Sequence, residues 1–123
     1  MKELTEAEKI LIEKYKIHVS AGWKRLVVSV LKKIEKHNKK HPDKKIECIY
    51  CKEKWGRCRF EIYDNSTRYI YKLTIKAERK SGHICEFCGS KGKETELDMW
   101  IKTLCAKCAE ERKRKILDGT LYS

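Results

Sequence analysis

The chain has one proline, two phenylalanines and no apolar run near the roughly 18 residues that a membrane-spanning helix needs. The N-terminus reads MKELTEAEKI, without a charged-then-apolar leader pattern, so the expected setting is soluble, cytoplasmic and reducing, with no membrane partner. Paired carboxylates, a glycine-rich phosphate loop and a Ser-His arrangement are also missing. None of the four histidines, His18, His37, His41 and His83, falls between Cys88 and Cys108, where a His-Asn-His nuclease on a metal-stapled scaffold would carry them. The expectation is a protein that is not an enzyme.

What the chain does have is enough apolar surface to fold. Hydrophobic residues make up 41% of its 123 residues, too many for wholesale disorder. Seven cysteines would imply disulfides in a secreted chain, but the number is odd and four of them sit in C-x2-C pairs, which favours reduced thiolates holding metal. The predicted fold class is α+β in a single domain over 1–123. Residues 1–83 supply helices plus a β-hairpin, and 84–123 a treble-clef or zinc-ribbon-like subregion.

Thr5 and Glu8 have capping-box spacing, which predicts a first helix from about Glu6 to Ile17. After a break at His18 to Gly22, the apolar positions Trp23, Leu26, Val27, Val30, Leu31 and Ile34 recur as one face of a second helix. Lys36 to Lys45, KHNKKHPDKK, reads as a basic loop. Ile46, Cys48 and Tyr50, then Cys58, Phe60 and Ile62, alternate with polar positions around a Lys54-Trp55-Gly56 turn, which predicts an antiparallel hairpin. Asp64, Asn65 and Ser66 are N-cap types for a third helix with Ile70, Leu73 and Ala77 on its inner face and Gly82 as its C′ residue.

Cys85, Cys88, Cys105 and Cys108 form a C-x2-C-x16-C-x2-C pattern, inside the roughly 15 to 20 residue gap of a four-cysteine zinc site. A C-x-x-C turn aims two thiolates at one tetrahedral ion, and Gly89 supplies permissive backbone behind the first pair. The second pair opens AKCAEERKRKIL, a run of helix formers, so its thiolates are expected on a first helical turn. Four thiolates close the coordination shell, which predicts one structural Zn2+ rather than a catalytic one. Cys48, Cys51 and Cys58, with His37 or His41, are an alternative set for a second ion. Against it, Cys48 and Cys58 would be small apolar residues facing the hairpin core.

Three segments resemble a family of small uncharacterised bacterial and phage proteins: GWKRLVVSVL at Gly22 to Leu31, KEKWGRCRF at Lys52 to Phe60, and ICEFCGSKG with WIKTLCAKC. Together they span most of the chain. The family often carries His at the position of Cys108, so the resemblance implies a metal ligand there. Its members have aliphatic residues at Cys51 and Cys58, which implies core positions for those two. It implies no activity.

Positive charge is concentrated away from the four cysteines. The net charge is +12, of which residues 84–123, with eight basic and seven acidic groups, contribute almost nothing. Residues 21–45 have nine basic against two acidic, and residues 65–83 five against one. Arg25, Lys32, Lys36 and Lys39 cluster opposite the apolar face of the second helix, and Arg68, Lys72, Lys76 and Arg79 opposite that of the third. Like charges at i and i+4 cost isolated helices about 0.2 to 0.5 kcal/mol each, so these stripes do not serve helix stability. They predict noncatalytic nucleic-acid binding, with Tyr69, Tyr71 and Trp55 as either stacking surfaces or core residues. The competing expectation is a protein-interaction module, such as a phage or mobile-element regulator that docks an acidic or nucleic-acid-bearing complex by the same basic face.

Overall fold

The computed structural model describes residues 3–119, so the outer limits of the expected 1–123 unit lie outside them. Helix α1 spans Glu6–Lys14, and a single 3-10 turn at Ala21–Trp23 leads into α2, Lys24–Lys40. Strands β1 (Ile49–Lys54) and β2 (Arg57–Ile62) form one antiparallel hairpin, followed by α3, Arg68–Ser81. A second hairpin, β3 (Lys93–Leu97) and β4 (Trp100–Leu104), precedes α4, Ala106–Leu117. The class is α+β, as the periodicities predict. Among the described residues no helix is long and apolar enough to cross a membrane.

The capping box forms: Glu8 N–H donates to Thr5 Oγ1 at 3.2 Å and Thr5 N–H to Glu8 Oε1 at 2.9 Å. The helix stops at Lys14, short of the expected Ile17, because Lys16 takes a left-handed φ of 53° and Ile17 N–H bonds back to the Ile12 carbonyl. That turn sends Tyr15 and Ile17 into the core. The expected apolar face is buried, with Trp23 of the 3-10 turn and Val27, Leu31 and Ile34 of α2 fully enclosed.

Three local expectations need correction. Residues 36–40 are helical rather than loop, because buried Asn38 makes two 2.8 Å hydrogen bonds to the backbone of Ile46, one to its carbonyl and one from its N–H. A polar anchor inside a basic run carries no periodic apolar signal. The inward phase of the first strand is Ile49 and Cys51, not Cys48 and Tyr50, because the left-handed pair Trp55 (φ 54°) and Gly56 (φ 77°) sets Ile49 opposite Ile62 and Cys51 opposite Phe60. Helix α3 is capped by Thr67, whose Oγ1 accepts from Ile70 N–H at 3.2 Å. Asp64 instead accepts from Glu47 N–H and Asn65 donates to the Lys45 carbonyl. The helix ends at the expected Gly82, whose φ of −68° is right-handed.

The helices and the cysteine segment lock together at Gly22 and Trp23. Gly22 N–H donates to the Glu86 carbonyl at 2.7 Å, and Trp23 Nε1 donates to the Ile84 carbonyl at 2.9 Å. A Cβ on Gly22 would sit 2.0 Å from the Cys85 carbonyl oxygen and 2.6 Å from Glu86 C, both backbone atoms. The tip of the first hairpin meets β4 in a similar way: a Cβ on Gly56 would approach Lys102 C and Thr103 N to 3.1 Å, and Thr103 Oγ1 donates to the Gly56 carbonyl.

Helix α1 docks on α2 through one carboxylate. Buried Glu8 accepts from Arg25 at 2.9 Å and from Lys32 at 3.0 Å. The Thr5 N–H, then these two cations, hold its pKa down to about 2. A depressed carboxyl stabilises the fold fully above its ordinary value near 4.5 and loses that contribution as pH falls toward 2. Acid unfolding followed by circular dichroism should therefore lose stability through this window, and Glu8→Gln should flatten that part of the profile. Gly22→Ala should cost about 3 kcal/mol or more in urea unfolding, because neither clashing atom belongs to a side chain that can rotate away.

Candidate metal centre

Three elements bring the four predicted cysteines together. Cys85 and Cys88 lie in a tight turn where Cys85 N–H donates to the Ser90 carbonyl at 2.7 Å and Gly89 N–H to the Cys85 carbonyl at 3.0 Å. Gly89 has a φ of 79°, so the permissive backbone expected there is used. A bridge between Ile84 and Lys91 closes the turn, and a Cβ on Gly92 would come within 2.9 Å of Cys85 N. Hairpin β3–β4 then returns the chain so that Cys105 caps α4 and Cys108 occupies its third position, with Cys108 N–H 3.4 Å from Cys105 Sγ.

All four Sγ atoms lie within 4.8 Å of one another, and Cys88 and Cys105 approach to 3.6 Å. A tetrahedral ion with metal–sulfur bonds of about 2.3 Å would set each sulfur pair about 3.8 Å apart, so the group fits such an ion with small adjustments. The thiols differ electrostatically. The Cys108 N–H, assisted by the Ser90 hydroxyl, holds Cys105 down to about 6, and the Ser90 hydroxyl lowers Cys88. Burial, followed by the neighbouring thiols, pushes Cys108 up. A cation entering this group displaces the Cys108 proton, so metal binding releases protons and strengthens as pH rises.

The surroundings fix the turn against β4. Glu86 N–H donates to the Thr103 carbonyl at 3.0 Å, and Thr103 N–H returns to Glu86 Oε2 at 2.8 Å. Glu86 is fully buried, and that burial raises its pKa. Lys102 Nζ stands 3.6 Å from Glu86 Oε1 and 2.9 Å from Glu53 of the first hairpin. Helix α4 buries no side chain; besides the two cysteines, Arg112 stacks 3.8 Å over the Phe87 ring.

The alternative second set is not assembled. Cys51 and Cys58 are joined as a disulfide across the first hairpin, which corrects the expectation of reduced thiols at both positions, and Cys48 is exposed rather than inward. The pairing follows from the register, which puts Cys51 and Cys58 diagonally across the inner face. The rings of His37 and His41 lie beside each other at a tilt of 38°, with centroids 4.6 Å apart. Among the described residues, only Cys85, Cys88, Cys105 and Cys108 form a group able to hold a metal.

No protein family, curated protein or solved structure compared with the chain matches it. The class of the molecule is therefore defined by its own fold and site: a small α+β protein with a group of four cysteines able to hold a metal.

The predicted basic residues divide into two sets. Arg25 and Lys32 face Glu8, and Arg25 also donates to the Glu3 carbonyl at 3.0 Å. Lys36, Lys39, Arg68, Lys72, Lys76 and Arg79 are exposed and have no carboxylate within ion-pair distance among the described residues. The outer face of the first hairpin adds cations that helix periodicity does not reveal. There Lys52 lies opposite Arg59 and Lys54 opposite Arg57, and the tilted rings of Tyr50 and Tyr63 meet beside them with centroids 5.9 Å apart. Folding the sequence about Trp55-Gly56 in register is the signal that finds these pairs. Trp55, Tyr69 and Tyr71 are exposed, not core.

Removing bound metal with a chelator, or substituting Cys105→Ser, should free α4 while leaving the main core intact. Circular dichroism at 222 nm should fall by about a fifth, the share of one marginal 12-residue helix. Cys48→Ser should leave metal content unchanged in elemental analysis.

Proposed function

We propose that the protein is a noncatalytic nucleic-acid-binding protein stapled by one Zn2+. Four thiolate donors suit zinc, and a closed four-sulfur shell leaves no position for an activated water. The order of tight turn, hairpin and helix-borne second pair fits a treble clef. In this reading the zinc module positions the basic surfaces and is itself close to neutral.

The observation that carries the binding role is the first hairpin's outer face. Like charges directly opposite one another destabilise a sheet, yet two such pairs, Lys52 with Arg59 and Lys54 with Arg57, stand side by side. Glu61 on the same face and Glu78, 3.9 Å from Arg59, offset the charge of these four cations only in part. A polyanion relieves this repulsion and releases counterions as it binds. Exposed Tyr50, Tyr63 and Trp55 sit among these cations, the combination that tracks a single strand by stacking and charge. Lys36, Lys39, Arg68, Lys72, Lys76 and Arg79 extend the same field over α2 and α3.

A titration of single-stranded and duplex oligonucleotides by fluorescence anisotropy tests this. Measurable binding at ~50 mM salt should weaken steeply with added salt. The pairs Lys52→Glu with Arg59→Glu, and Lys72→Glu with Lys76→Glu, should each lower affinity at least roughly tenfold while leaving the thermal melt in place. Absence of binding at ~50 mM salt would sink the nucleic-acid reading and leave a protein partner with an acidic face as the target.

A further inference from the structure

A cavity of about 460 Å³ opens between the end of α2 and the start of α3. Lys33, Lys36 and Lys40 line it from α2, together with His37 and His41, and Thr67 and Tyr69 line it from α3. Among the described residues no carboxylate lines it. Among those residues, too, the three exposed lysines have no ion-pair partner and the buried His37 Nε2 has no hydrogen-bond partner. A His pair at i and i+4 is a familiar cation-binding arrangement, but three ammonium groups at the same cavity argue for an anion.

Two further features point to a phosphate. Thr67 caps α3, and of the first three amides of that 14-residue helix only Ile70 N–H is taken up by the cap, leaving those of Arg68 and Tyr69 without intrahelical acceptors. The exposed Tyr69 ring gives a flat apolar surface beside these donors. The volume falls within the roughly 300–1,000 Å³ of small-ligand sites, room for one nucleotide unit rather than a bare ion. Burial, with His41 beside it, holds His37 below the ordinary imidazole range, so at neutral pH it enters as a hydrogen-bonding ring and the lysines carry the charge.

We propose that this cavity seats the terminal phosphate monoester of a nucleic-acid strand, with the end nucleotide against Tyr69. The inference rests on the nucleic-acid reading and adds an end specificity to it. A phosphodiester carries one negative charge inside a continuous backbone and would have to enter and leave the concavity. A terminal monoester carries nearly two charges and can enter by its end, which matches several donors gathered in one place.

The test compares one oligonucleotide of ~12 nucleotides bearing a 5′-phosphate, a 3′-phosphate or hydroxyls at both ends, titrated by anisotropy at ~100 mM salt. One of the phosphorylated ends should bind roughly tenfold tighter than the hydroxyl-ended strand. The variant Lys33→Gln with Lys40→Gln should erase that preference, whereas the charge-matched control Lys107→Gln with Lys113→Gln should keep it. His41→Ala provides a second, single-site variant with the same expected direction. Equal affinity for phosphorylated and hydroxyl ends would overturn the proposal while leaving nucleic-acid binding intact. If no oligonucleotide binds even at ~50 mM salt, the nucleic-acid reading fails, and adenosine monophosphate is titrated in its place. Its binding, lost in the Lys33/Lys40 variant, would keep the cavity as a site for a free mononucleotide and reject the strand end. Its failure to bind would reject the cavity altogether.

Discussion

The contact on which the architecture depends is between Gly22 and the peptide joining Cys85 to Glu86. A hydrogen-bonded N–H and a bare Cα let the first turn leading into α2 lie directly on the backbone of the turn that carries Cys85 and Cys88. Trp23 extends the contact, with its ring in the main core and its indole N–H on Ile84. One dipeptide thus belongs both to the helical core and to the frame of the cysteines. The second contact, Gly56 on β4, fixes the first hairpin to the same frame. The cysteine turn is buttressed by two segments distant from it in sequence, and this closeness requires glycine on the approaching side.

Charge is arranged with a comparable division of labour. Buried or half-buried charges are paired: Glu8 with Arg25 and Lys32, and Glu86 with Lys102 and the Thr103 amide. These groups hold elements to one another. Most of the remaining cations lie on the outside of α2, α3 and the first hairpin, where they repel their neighbours; of these, Arg59 also reaches Glu78 of α3 at 3.9 Å. Within one stripe read from the helical wheel, Arg25 and Lys32 therefore do structural work that Lys36 and Lys39 do not.

What could be read from the sequence was what short-range geometry dictates. The spacing of Cys85, Cys88, Cys105 and Cys108 encodes a site because each pair is a local turn, and the Thr5–Glu8 box and the apolar face of α2 are equally local. The hairpin turn at Trp55-Gly56 was also legible, but the strand phase was not, because alternation in one strand does not say which residue faces which across the turn. The disulfide between Cys51 and Cys58 and the like-charge pairs on the opposite face depend on that register. The helical tail at 36–40 depends on Asn38 reaching the backbone of Ile46, and the role of Gly22 on the approach of a segment more than 60 residues away. Pattern and composition do not record such contacts.

Helix α4 gives the molecule an uneven distribution of stability. Since none of its side chains is buried, little apolar area opposes its unwinding, and its attachment passes through Cys105, Cys108 and the Arg112–Phe87 stack. With an ion held by the four thiolates, its opening free energy would be set by mass action with that ion more than by the hydrophobic core. Amide-exchange protection along residues 106–117 would then read out occupancy of the cysteine group, while protection in α2 would read out the global stability of the chain.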